Sequence, residues 1–212
     1  MIEIPLGLPS ELVPLSWLLG VWEGSGVLDY AIDPPAGSGE AAEVTTVTRE
    51  FGQRVSFSHD GLPYLSYSSY SWLYPTEEGG EPTPLVTETG YWRLGRPLGE
   101  ADTGPGMLPG TGAPRYNDAD SVETLRNADG GFDIEVAIVH PDGVSELYLG
   151  QVKGPRIDLV TDAVLRTQTA KHYAAATRLY GLVDNHLLWA WDIAALGQPL
   201  RTHASGRLAK VD

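Results

Sequence analysis

The stretch Leu18-Leu19-Gly20-Val21-Trp22-Glu23-Gly24-Ser25-Gly26 reads G-x-W-x-G-x-G and stands at the start of an extended, β-favouring run that continues to Tyr30. Trp22 is large enough to fill one end of a barrel. Gly20, Gly24 and Gly26 permit sharp strand curvature or the close approach of a neighbouring backbone, a structural task that needs no catalysis. Outward from this motif, a short turn at Pro14–Leu19 precedes it. Alternating or β-rich segments follow at 42–51, 54–59, 64–72 and 85–94. The second half repeats the habit at 132–140, 144–152, 157–165, 172–183, 186–195 and 200–211, broken by Pro-Asp-Gly, Lys-Gly-Pro, Val-Asp-Asn and Gly-Gln-Pro turns. Roughly ten strands, each adjacent to the next, predict an all-β, antiparallel up-and-down barrel. An open two-sheet sandwich is the nearest alternative, but closure removes the bare edges that a long meander would leave. Helix is expected only as about a turn or two near the N-terminus.

The 212 residues suit one β-rich domain spanning 1–212. Two Pro/Gly-rich segments, 33–39 and 96–114, lack either periodicity and are placed as surface-loop insertions within it. A formal charge of −14 without a Lys/Arg run opposes nucleic acid and anionic membrane surfaces as partners. No cysteine is present, which removes disulfides, thiolate metal sites and thiol nucleophiles together. Residues 1–14 have no basic n-region and are interrupted by Glu3, Pro5, Pro9 and Glu11, unlike a signal peptide. Nothing approaches the ~20 apolar residues of a membrane span, so a cytoplasmic protein is expected.

The common local signatures are missing. Gly104, Gly106 and Gly110 do not match G-x-G-x-x-G, and the intervening prolines oppose entry into a helix. H-E-x-x-H, G-x-S-x-G and the EF-hand loop do not occur.

Taken with other segments, the glycine-tryptophan motif resembles the nitrobindin family. The similarity continues in Ser58-His59-Asp60-Gly61-Leu62-Pro63, Thr87-Glu88-Thr89-Gly90-Tyr91-Trp92-Arg93, Val139-His140-Pro141-Asp142-Gly143 and Thr169-Ala170-Lys171, in the family's order. It ends at Gly197-Gln198-Pro199-Leu200-Arg201-Thr202-His203-Ala204-Ser205-Gly206-Arg207-Leu208, which looks like the family segment that supplies the axial haem histidine. The resemblance covers most of the chain, although 33–47 and 96–130 are longer than the corresponding family connections.

The resemblance implies a lipocalin- or fatty-acid-binding-protein-like barrel that binds haem b, with His203 as the iron ligand. Such a site needs a neutral imidazole, an apolar cavity and an open coordination position. Strict alternation places Leu200, Ala204 and Leu208 on one face and His203, Ser205 and Arg207 on the other: an inward face, a bulge or a site near the barrel mouth brings His203 to the pocket, whereas an unbroken strand with Leu208 facing the core points it outward as a surface histidine. Lys171 is a candidate for a haem propionate or polar ligand, against the bland reading of a solvated strand-end lysine. His59 and His140 adjoin turns and suit solvent or capping as well as a ligand contact, and His172 and His186 are assigned to structure or solvent. Leu187, Trp189, Trp191 and Ile193 share a strand face that suits a core or a cavity wall.

By resemblance, the expected function is binding of nitrogen oxides at haem iron and isomerisation of peroxynitrite to nitrate. Iron does the bond chemistry, and the protein contributes ligation and confinement. The alternatives are a haem-free, fatty-acid-binding-like carrier of an apolar molecule, with Arg207 and tyrosines receiving a carboxylate, and a ligand-free scaffold with a contiguous exposed apolar patch.

Overall fold

A computed structural model of the chain describes residues 7–32, 45–195 and 199–211. The strands are β1 Gly20–Ile32, β2 Thr45–Ser58, β3 Leu65–Leu73, β4 Thr83–Leu94, β5 Phe132–Val139, β6 Val144–Lys153, β7 Arg156–Arg166, β8 Tyr173–Val183, β9 His186–Ala195 and β10 Arg201–Lys210. Period-two patterning makes them strands. In β5, Phe132, Ile134, Val136 and Ile138 are buried, while Asp133, Ala137 and Val139 face out. Each strand pairs antiparallel with its sequence neighbour, and β1 also pairs with β10, closing the sheet into a ten-stranded barrel. Closure leaves neither the first nor the last strand as a bare sheet edge.

Turn chemistry sets the hairpins. Asp184 and Asn185 both adopt left-handed backbone, with φ of 49° and 59°, the geometry of the two-residue β8–β9 connection. The motif glycines act where backbones nearly touch. A Cβ on Gly24 would strike the Arg207 carbonyl, and one on Gly26 would strike the Ser205 carbonyl and the Phe51 ring. This crowding lets β1 and β10 curve together at the closure. Trp22 is buried, and its Nε1–H donates to the Leu18 carbonyl at 2.7 Å.

One end of the barrel is packed solid. A 3-10 helix, Ser10–Leu18, drops the fully buried Leu12, Leu15 and Leu18 into a core with Trp92, Leu94, Ile134 and Leu208. The long β4–β5 connection is tied to this plug. Arg96 bonds both oxygens of Glu11, at 2.5 and 2.9 Å, and both oxygens of Asp102, at 2.8 and 2.7 Å, and it lies over the Tyr116 ring. Among the described residues, no helix is long and apolar enough to cross a membrane.

Two expectations change, and one is not reached by the described residues. Segments 42–51 and 54–59, read as separate strands, belong to the single strand β2 over its described part. Gly52-Gln53 is not a break, because Gly52 makes room for the Trp72 indole while the ladder continues to Phe57. Helix also occurs beyond the N-terminus, as α1, Ala119–Glu123, and a 3-10 turn at Pro105–Met107. Asp118 caps α1, accepting from the Ser121 amide at 2.8 Å while the Ser121 hydroxyl takes the Asp118 amide. The proposed insertion at 33–39 lies outside the described residues.

Candidate functional site

At the end away from the 3-10 helix, the barrel encloses a cavity of about 510 Å³ with a mostly apolar wall that includes Leu28, Phe51, Val55, Trp189, Trp191 and Ile193. That volume falls in the range of pockets for small organic ligands. His203 lines it.

The strand reaches this position by breaking its own alternation. Ala204 and Leu208 are buried inside and Arg207 faces out, so regular pleating would turn His203 outward. However, β10 slips register against β9 between Thr202 and Ala204. His203 is the extra residue of this bulge, and both it and Ala204 line the cavity. Its Nδ1 lies 3.1 Å from the Asp29 carbonyl. A carbonyl only accepts, so Nδ1 carries the proton and Nε2 keeps its lone pair. Burial pushes the imidazole below its usual pKa, against the opposing pull of the Asp29 carbonyl, which keeps the ring neutral and able to ligate.

A buried ionic cluster forms another part of the wall. Arg178 on β8 bonds both oxygens of Glu88 on β4, at 2.8 and 2.9 Å, and reaches Glu146 on β6 at 3.4 Å. Its Nε–H donates to the Tyr148 hydroxyl at 3.0 Å. Glu146 also accepts from the hydroxyls of Tyr148 and Tyr173, each at 2.5 Å, and from His140 Nε2 at 2.7 Å. Tyr67 donates to Glu88 at 2.5 Å. Burial alone would raise the Glu88 carboxyl, but Arg178 overrides it and holds the group down at about 2. Burial would likewise raise Glu146, yet the His140 and Arg178 contacts leave it lowered. The phenols of Tyr67, Tyr148, Tyr173 and Tyr180 move up, chiefly by burial, and remain protonated donors.

The structure separates the remaining candidates. Lys171 and His172 are exposed but contribute to the cavity rim. His140, read from its turn as suiting solvent or capping as well as a ligand contact, is buried in the cluster and also lines the cavity. His59 accepts from the Gly61 amide in a loop, and His186 sits in the β8–β9 turn against the Asp184 carbonyl. Gly20, Trp22, Gly24 and Gly26 shape β1 and do not line the cavity. Arg207 lies on the outer face beside His186 and cannot receive a carboxylate inside.

Sequence reading passed over Glu88, Glu146 and Arg178. Parity was the available signal, because Glu146 alternates with buried Val144 and Tyr148, and Arg178 with buried Ala176 and Tyr180.

Chemically, one imidazole nitrogen faces an apolar chamber. Among the described residues no group of three or more His, Asp or Glu could hold a bare metal ion. His203 therefore suits a metal that brings its other ligands with it, as iron in a porphyrin does. Three buried polar atoms of cavity-lining side chains, Trp189 Nε1, Trp191 Nε1 and Gln53 Oε1, also have no protein partner among the described residues.

Comparison with known proteins agrees with this geometry. The THAP4-like, heme-binding beta-barrel domain matches residues 11–210. A peroxynitrite isomerase of Clavibacter michiganensis subsp. michiganensis is 68% identical over 213 residues, covering 100% of both chains. One from Leifsonia xyli subsp. xyli is 65% identical over 212 residues, again covering 100% of each. The crystal structure of Rv2717c from M. tuberculosis superposes with a TM-score of 0.62 at 24% identity, over 97% of this chain and 99% of that one, and shares the barrel fold.

Proposed function

This chain belongs to the THAP4-like, heme-binding β-barrel family, and from that premise we propose that it holds haem b through His203 and isomerises peroxynitrite to nitrate. The observation that carries the assignment of the ligand is the bulged His203, with Nδ1 engaged by Asp29 and Nε2 left free beside the cavity.

When bound, haem supplies a Lewis-acidic iron with a coordination position for a small nitrogen oxide. The chain does the rest. His203 Nε2 would hold the iron through its lone pair, and the Asp29 carbonyl fixes the tautomer and would raise the basicity of that nitrogen. The apolar wall excludes water and confines the reactants, which suits a rearrangement whose product has the same atoms as its substrate. No general acid is required. Lys171, at the rim, is assigned to a propionate carboxylate, its ammonium being the donor. The same reading takes 1–212 as one domain working in the cytoplasm on small nitrogen oxides.

The haem-free carrier loses the arginine part of its carboxylate site. Arg207 lies outside the barrel, and the Arg178 guanidinium is spent on Glu88, Glu146 and Tyr148.

Haemin titration tests the proposal. The parent protein is expected to bind one equivalent with a histidine-ligated absorption band and to accelerate peroxynitrite decay to nitrate. In H203A, with β structure retained by circular dichroism, affinity is expected to fall by at least about 100-fold, since loss of a ligand should exceed the roughly 10–100-fold effect of losing its support. Unchanged coordination in H203A would reject the assignment.

A further inference from the structure

The ionic cluster and His203 do not touch directly, and Trp191 stands between them. Trp191 on β9 is the cross-strand partner of Arg178 on β8 and of Ala204 on β10, the residue that follows the bulge. The Arg178 guanidinium lies 4.2 Å from the centre of the indole. His140 stacks nearly parallel to the same indole, with ring centres 6.3 Å apart and 14° between planes. The His203 ring meets it edge-on, at 5.6 Å and 81°. Trp191 Nε1 has no hydrogen-bond partner among the described residues, so the indole is held through its π system.

We propose that Trp191 is a positioning residue for His203, transmitting the rigidity of the Arg178–Glu88–Glu146–His140 cluster to the imidazole plane. The inference rests on His203 being the haem ligand. Its physical basis is a shortage of other restraints. As the bulge residue, His203 has no register partner on β9. Its one hydrogen bond among the described residues, to Asp29, fixes where Nδ1 sits but leaves the ring free to swing about that contact. The edge-on indole supplies the missing second restraint. The indole is itself immobile because the guanidinium above it is held by two carboxylates and two phenols. The cluster thus orients an iron ligand without contacting it.

The experiment uses haem-loaded full-length protein and the variants W191L, W191F and I193A. Ile193 lines the same wall two residues along β9, so I193A removes volume without removing the indole. Circular dichroism and melting first establish folding, and two readouts follow: haem loss to excess apomyoglobin and the ferric electron paramagnetic resonance line shape. W191L is expected to bind one haem, lose it at least about 10-fold faster than the parent, and broaden the spectrum as the imidazole plane samples several orientations. W191F, which keeps an aromatic ring, should fall between. I193A, which trims the same cavity wall, should speed loss by less than W191L does and broaden the line shape less.

Loss rates within twofold of the parent and an unchanged spectrum in W191L would overturn the proposal. Equal behaviour of W191L and I193A would overturn it too, since volume alone would then explain the effect. Should W191L fail to fold, W191F carries the same comparison. A parent protein that takes up no haem, or coordinates it equally well as H203A, refutes the haem reading itself; normal parent binding with an indifferent Trp191 refutes only this inference.

Discussion

His203 occupies a place in β10 where alternation fails, and this explains how far the sequence could be read. Parity alone left its face open, because the inward positions of Ala204 and Leu208 imply an outward His203 unless a residue is added. A bulge is fixed by register with both neighbouring strands, which Thr202-His203-Ala204 does not encode locally. The buried charges were missed for the opposite reason. Their parity is regular, but Glu88, Glu146 and Arg178 become affordable inside only because they meet there across three strands. The motif glycines were legible as a structural device, and Gly26 offers a direct check. A methyl group there would press on the Ser205 carbonyl and the Phe51 ring. G26A is therefore expected to destabilise the fold by about 1–3 kcal/mol, as overpacking does. Urea unfolding should show a lowered midpoint with little change in slope, and parent-like stability would contradict the crowding.

Among the elements, half-buried antiparallel strands announced themselves because each carries its own two-residue period, as β5 does from Phe132 to Val139. Strand β2 was divided because glycine resembles punctuation, whereas Gly52 is a seat for Trp72. Helix α1 went unread because its five residues are too few for an amphipathic period, although Asp118 and Ser121 form its cap. The β4–β5 connection depends on partners far away in sequence. Arg96 and Glu11 are only 6% and 8% exposed, and with Asp102 they pin the connection to the 3-10 helix. R96A would strand the buried Glu11 carboxylate beside a partly exposed Asp102, so a loss of about 1–3 kcal/mol is expected. Equilibrium unfolding measures it, and an R96A midpoint equal to the parent's would show that the clamp contributes nothing.

For the molecule as a whole, acid should be the weak side. Glu88 and Asp102 are both held at about 2 when folded, Glu88 by Arg178 against its burial and Asp102 by its Arg96 hydrogen bonds, below ordinary values of 4.5 and 3.8. A group with a depressed folded pKa stabilises fully above its unfolded value, and that contribution is lost as pH falls toward the folded one. The melting temperature is expected to drop as pH falls from about 4.5 to 2, measured by circular dichroism at constant ionic strength. A flat profile across that window would count against the cluster as drawn. The lopsided filling of the barrel carries a kinetic consequence. With Leu12, Leu15 and Leu18 driven into one end, that end offers no passage. Among the described residues the opening lies at the other end, so a macrocycle seated there would itself cover that opening and shield the chamber beneath it from water.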